Sequence, residues 1–168
     1  QISFIYVSIT MACIVAYFSV GMSAFDATVH AMTTVATGGF SNYDASFAVF
    51  PAAVEYVAVV FMILAALPFV RYVQLLNGNQ TAVFKDAQVR SFLAVIFALV
   101  VITALILLSF GQLENEAAVR KALFNITSII SGTGYASSDY MQWGSFLVTL
   151  FFFIGLIGGC AGSTACSV

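Results

Sequence analysis

The sequence predicts an all-α polytopic membrane protein built from two tandem repeats, each a span, a short apolar helix, a glycine-rich turn and a second span. Composition, four apolar blocks and a correspondence at a fixed offset carry that prediction. Of the 168 residues, 62% are apolar and 7% charged, against roughly 45–50% and about 25% in soluble domains. So few charges cannot cover a globular surface in water, and the 15% aromatic content excludes a disordered or collagen-like chain. The mean hydropathy of +1.06 agrees. Seven acids against five bases, a net charge of −2, leave no basic footprint for phosphates, so no nucleic-acid partner is expected.

The apolar blocks are residues 2–22, 51–70, 92–110 and 141–157. Each approaches the 17–25 residues that a helix needs to cross a ~30 Å hydrocarbon core, the last only if it continues into the glycines that follow. Four crossings are therefore expected, with lipid as the surrounding solvent. The chain has no basic leader before its first apolar block and reads as a span, or as a fragment beginning at one. In the second block Glu55 is expected at the interface and Pro68 as a kink. Residues 71–90 carry Arg71, Lys85 and Arg90 against Asp86 alone, which assigns this loop to the cytoplasm. The connections 23–50 and 111–140 then face outward with Asp26, Asp44, Glu114, Glu116 and Asp139. Those acids suit a cation entrance, and they equally suit simple solvation of outer loops.

Laying one outer connection over the other reveals the repeat. Ala27 and Ala122, Thr33 and Ser128, Val35 and Ile130, Gly39 and Gly134, Phe40 and Tyr135, and Asp44 and Asp139 are all 95 positions apart. Chance rarely aligns so many types in register. The organisation is then a first repeat over 1–76, a cytoplasmic loop over 77–90 and a second repeat over 91–168.

The short helices expected at Ala24–Val35 and 116–130 reach only about 18–23 Å, too little to span. A segment that enters the membrane and returns is tolerated where its irregular backbone is buried in protein or lines a water-filled cavity. That backbone is 36–41, with Thr37, Gly38, Gly39 and Phe40, and 131–136, with Gly132, Thr133, Gly134 and Tyr135. Glycine permits dihedrals that turn successive carbonyls to one side. Such a row of oxygens can replace the hydration shell of a large alkali cation, aided by the negative end of the preceding helix. The sequence thus predicts a channel-like pore that binds a large alkali cation through backbone carbonyls, with Phe40 and Tyr135 bracing the turns from behind. A second glycine cluster, Gly155, Gly158, Gly159 and Gly162 followed by Ser163 and Thr164, predicts a broken helix of the kind that places polar backbone at a transport path.

These motifs resemble the Trk/Ktr/HKT family of potassium and sodium transport proteins, and within it the TrkH-type potassium uptake subunits most closely. The likeness rests on the turns at 36–41 and 131–136 and on Gly158, Gly159, Cys160, Ala161, Gly162, Ser163 and Thr164. It implies four span–pore helix–span repeats around one pore, of which this sequence looks like the second and third, with the remaining repeats supplied by a longer chain. It further implies that Gly39 and Gly134 are the key filter glycines, with carbonyls around Thr37, Gly38, Gly39, Gly132, Thr133 and Gly134 facing potassium. Residues 158–164 would be the intramembrane loop that gates the pore. A bacterial inner-membrane location, filter entrances on the outer face, a cytosolic nucleotide-binding regulatory subunit of TrkA-like kind and a homodimer belong to the same implication. No bound cofactor is implied beyond the transported potassium ion. Gly132 departs from the threonine that potassium channels place at that position.

Two rivals frame the reading. An enzyme is not expected, because the single histidine, His30, has no evident acidic partner, Ser163 has no evident base, and no metal-ligand spacing is present. His30 is expected to be a packed helix residue, and Cys13, Cys160 and Cys166 to be structural. The alternative function is a non-conducting helical membrane assembly module, its glycines packing helices through the GxxxG spacings of Gly155/Gly159 and Gly158/Gly162. A packing module has no reason to repeat a half-length helix and glycine turn on one face.

Overall fold

The computed structural model describes residues 1–79, 81–111 and 113–165, and its regular elements are helices. Helix α1 (Ile2–Ser19) is apolar on every face, as a lipid-exposed span should be. Gly21, at φ 104°, turns the chain into α2 (Ala24–Val35). The start of α2 is fixed by Ser23, whose Oγ accepts from the Asp26 amide at 3.1 Å and donates to the Asp26 carboxylate at 2.7 Å. A 3₁₀ turn at Ser46–Val49 leads to α3 (Ala52–Ala66), α4 (Phe69–Leu76) and the short α5 (Ala82–Lys85). Asp86 caps α6 (Ala87–Ser109) through the Gln88 amide at 2.7 Å. The second half-length helix, α7 (Asn115–Ile130), precedes a 3₁₀ turn at Tyr140–Trp143 and α8 (Ser145–Gly155).

Four crossings were expected, the second kinked at Pro68 and the last broken at its glycines; the kink is where the structure differs. Among the described residues only α1 and α6 are single helices long and apolar enough to cross a membrane. The second block stops after 15 residues of α3 and turns by 87° into α4. Pro68 is therefore a break and not a gentle kink: it forces Leu67 into extended conformation, ψ 153°, and has no amide to continue the ladder. The fourth block is helical for only 11 residues. Gly144, at φ 100°, holds off its start, and the helix ends at Gly155 without running through the glycines. Glu55, expected at the interface, is covered by protein. Only 1% of it is exposed, beneath the N-terminal half of α7.

Helix α1 packs on α2, α6 on α7, and α3 crosses from the first repeat to α7 of the second. Two apolar cores result, and they interlock. The core around Cys13, Tyr17, Ala31, Val54 and Met62 takes in Phe124 and Tyr135 from the second repeat. The core around Ile96, Leu107, Ile126 and Phe151 takes in Ala66 and Leu67 from the first. Cys13 and Cys160 are buried free thiols, as expected of structural cysteines, while Cys166 lies outside the described residues.

Candidate ion filter and gate loop

Both half-length helices end at matched residues, Val35 and Ile130, and both close with left-handed turns. After α2 the Thr37 amide donates to Thr34 O at 3.1 Å and the Gly38 amide to Thr33 O at 2.8 Å. This hydrogen-bond pair places the residue after the cap in left-handed conformation. That residue is Thr37, at φ 50°. Its counterpart is Gly132, at φ 72°, whose amide reaches Ile129 O at 3.0 Å. A side chain in this region costs roughly 1–2 kcal/mol, so Thr37 is strained where Gly132 is not. The departure at Gly132 seen in the sequence is thus what the backbone favours. Gly39 at φ 66° and Gly134 at φ 83° continue the turns.

In both turns an exposed glycine alternates with a buried threonine. Gly38, Gly132 and Gly134 are exposed, whereas Thr37, Thr133 and Tyr135 are buried. The two turns abut. A Cβ on Gly39 would overlap the carbonyl oxygen of Thr133, with the Thr133 carbonyl carbon and Gly134 close behind, while a Cβ on Gly134 would meet nothing within 4 Å. One bond repeats across the turns at the 95-residue offset: Thr33 Oγ1 donates to Phe40 O at 2.9 Å and Ser128 Oγ to Tyr135 O at 2.7 Å.

The aromatic pair divides. Tyr135 is 1% exposed, its hydroxyl lying among Thr33, Thr34 Oγ1 at 3.3 Å and His30 O at 3.1 Å. Its ring centroid is 4.3 Å from that of Phe47, and Phe47 N donates to Ala136 O at 2.9 Å. The second turn is thereby braced on α2, the half-length helix of the first repeat. Phe40 does not pack behind its turn: it is 75% exposed.

Outside the turns, two matched helix positions hold the departing chain with different chemistry. In the first repeat Asp26 accepts from Asn42 Nδ2 at 3.2 Å and Tyr43 OH at 3.1 Å. Hydrogen bonds, that of Ser23 first, hold its carboxyl below the usual carboxylate range. His30 Nδ1 lies 2.8 Å from Asp26 O, which can only accept, so Nδ1 carries the proton and Nε2 accepts from Ser41 Oγ at 3.0 Å. His30 is fully buried, the packed helix residue expected of it. In the second repeat Lys121 Nζ donates to Ser137 O at 2.7 Å, and Asn125 bonds Ser137 Oγ at 3.1 Å and Ser137 N at 3.3 Å.

The broken stretch after α8 is stitched to the break in the second block. The Pro68 break leaves the last carbonyls of α3 unpaired. Cys160 N takes Ala66 O at 3.1 Å, Thr164 N and Oγ1 take Ala65 O at 3.2 and 3.0 Å, and Phe69 N takes Gly162 O at 2.9 Å. Gly159 permits this approach, since a Cβ there would collide with Ala165 and press on Ala66. Ser163 Oγ folds back on Cys160 O at 2.6 Å. From the first turn, Thr37 Oγ1 shares its proton between Thr164 O and Ala36 O, each at 2.8 Å. Gly158, Gly159, Gly162, Ser163 and Thr164 therefore lie in one loop that touches the first turn at Thr37.

A family model described as TrkH, Cation transport protein, matches residues 1–168. The chain belongs to the TrkH family. It is 40% identical over 164 residues to the Trk system potassium uptake protein TrkI of Halomonas elongata, covering 96% of this chain and 33% of that one. To the Trk system potassium uptake protein TrkH of Escherichia coli K12 it is 35% identical, covering 95% of this chain and 34% of that one. The crystal structure of the potassium transporter TrkH from Vibrio parahaemolyticus superposes with a TM-score of 0.92 at 35% identity, covering 96% of this chain and 36% of that one. The chain thus spans about a third of the length of the relatives it matches.

For this TrkH-family chain the motif reading found the turns and the loop but missed the residues that hold them. Glu55, Lys121, Asn125 and Ser137 were outside it, as were the roles of Asp26 and Asn42. A signal existed: Asp26 and Lys121, and His30 and Asn125, are again 95 apart, polar or charged residues on otherwise apolar half-length helices.

Proposed function

We propose that this chain forms the second and third of four pore repeats of a potassium uptake protein. Backbone carbonyls around Thr37, Gly38, Gly39, Gly132, Thr133 and Gly134 bind the ion, and the loop 158–164 gates the path beneath them. The observation that carries this reading is the abutment of two glycine turns from matched half-length helices, with glycine backbone exposed in each. A helix-packing module has no use for such exposed backbone within apolar surroundings. The relatives' names, all Trk system potassium uptake proteins, supply the ion. Loop 71–90 faces the cytoplasm of a bacterial inner membrane, the turns open outward, and the full-length chain works as a homodimer with a TrkA-like cytosolic regulatory subunit.

The test is potassium-dependent growth and uptake by the full-length protein in a cell lacking its own potassium importers, with and without Gly134→Ser. Uptake that the substitution abolishes or opens to sodium is the expected result. Uptake with unchanged selectivity would remove the turn from the filter.

A further inference from the structure

One buried charged cluster is left unused by the filter and the gate. Glu55, in the first turn of α3, points a single oxygen, Oε1, at two cations: Arg120 Nη1 and Lys121 Nζ, each at 2.7 Å. Its other oxygen, Oε2, is buried without a partner. Arg120 also reaches Glu116 at 2.8 Å, and Glu116 accepts from Tyr56 OH at 2.9 Å. The side chains of Arg120 and Lys121 are 13% and 16% exposed and that of Glu55 2%. Burying such a group is costly, and well-packed apolar side chains would hold α3 against α7 as firmly. Stability alone does not account for it.

What Glu55 does is visible through Lys121. The ammonium that accepts its charge also binds the carbonyl of Ser137, the residue that follows the second turn. The matched position in the first repeat carries Asp26, an acid, in the same role of holding the departing chain. A lone ammonium beside the exit of a cation-binding turn opposes the ion, whereas an acid attracts it. We infer that Glu55 sets the charge beside the second turn: it neutralises Lys121, so that a lysine can lie on the Ser137 carbonyl without repelling the cation, while Asn125 holds Ser137 independently of it. The inference rests on the proposed potassium function. Glu55, Glu116, Arg120 and Lys121 together are neutral, and that balance is the working element.

The experiment is potassium uptake kinetics of the full-length protein in cells without other importers, with folded protein quantified by size-exclusion of each variant. Glu55→Gln leaves one uncompensated positive charge and should raise KM for potassium roughly three- to tenfold with a smaller change in maximal rate. Lys121→Met leaves one negative charge and should not raise KM. The double variant is neutral again and should return KM to within about twofold of the unmodified protein. If Glu55→Gln reduces the folded fraction, the order of Lys121→Met below the double variant still reads the charge effect. KM values that ignore this order, or a double variant worse than Glu55→Gln, overturn the inference while leaving potassium uptake intact. Absence of uptake by the unmodified chain overturns the proposed function, and this inference with it.

Discussion

Gly39 and Gly134 occupy the same place in their repeats, yet substitution should not affect them equally. Alanine at either position must adopt a positive φ, 66° at Gly39 and 83° at Gly134, at a cost of about 1–2 kcal/mol. At Gly134 nothing further is asked, because the new Cβ meets no atom within 4 Å. At Gly39 it overlaps the Thr133 carbonyl oxygen, a backbone atom that no rotamer change can withdraw. The carbonyl must retreat on the order of 1 Å to reach ordinary contact, and forced overpacking adds about 1–3 kcal/mol. Gly39→Ala should therefore destabilise by about 2–5 kcal/mol and Gly134→Ala by about 1–2 kcal/mol. Gly39→Ala should also disturb both turns, not one. The assay is thermal unfolding of the solubilised full-length protein alongside competitive potassium and sodium uptake. Both variants should lose discrimination, Gly39→Ala more. A Gly134→Ala protein as unstable and unselective as Gly39→Ala would refute the steric argument, since only backbone conformation is common to the two sites.

Tyr135→Phe, which deletes the hydroxyl placed among Thr33, Thr34 and His30 O, should lower stability by about 1–2 kcal/mol and weaken potassium selectivity. Unfolding and uptake assays read both, and an unchanged stability would mean the hydroxyl contributes nothing. Thr37→Gly relieves left-handed strain but removes the tie to Thr164, so stability should stay within about 1 kcal/mol while resting potassium leak rises. Thr37→Val retains the strain and loses the tie, and should be the less stable of the two; equal leak in all three proteins would exclude a latch. With Cys13 and Cys166 replaced by serine, Cys160 should react slowly with an aqueous thiol reagent at rest and faster when the pore conducts, because its burial depends on the loop's hold on Ala65 and Ala66. Equal rates in both states would show that the loop does not move.

Local signals made the first half of each repeat legible. A glycine turn follows each half-length helix, and the 95-residue correspondence ties the two together. The second halves depended on distant partners. The break at Pro68 is stabilised because residues about 95 positions downstream take the carbonyls of Ala65 and Ala66, and no window around Pro68 contains that information. Glu55 reads as an interfacial acid until Arg120 and Lys121 arrive from α7. Phe40 and Tyr135 match in sequence but not in burial: Tyr135 packs on the half-length helix of the repeat before it, and among the described residues Phe40 has no such helix to pack on.

The two turns are consequently held in different ways, and the difference bears on how a gate could act. The second turn is tied on every side available to it: Tyr135 to α2, Ala136 to Phe47, Ser137 to Lys121 and Asn125. The first turn has a strained residue, Thr37, and that residue's hydroxyl is bonded to the loop. Strain of roughly 1–2 kcal/mol at Thr37 is comparable to the hydrogen bond to Thr164 that accompanies it. A movement of the loop that breaks this bond removes the compensation for keeping a threonine left-handed, so loop and first turn are energetically coupled while the second turn stays fixed. Gly132, at the matched position, carries neither strain nor hydroxyl. In the proposed pore, the first of this chain's two repeats is therefore the one through which the state of the gate reaches the filter.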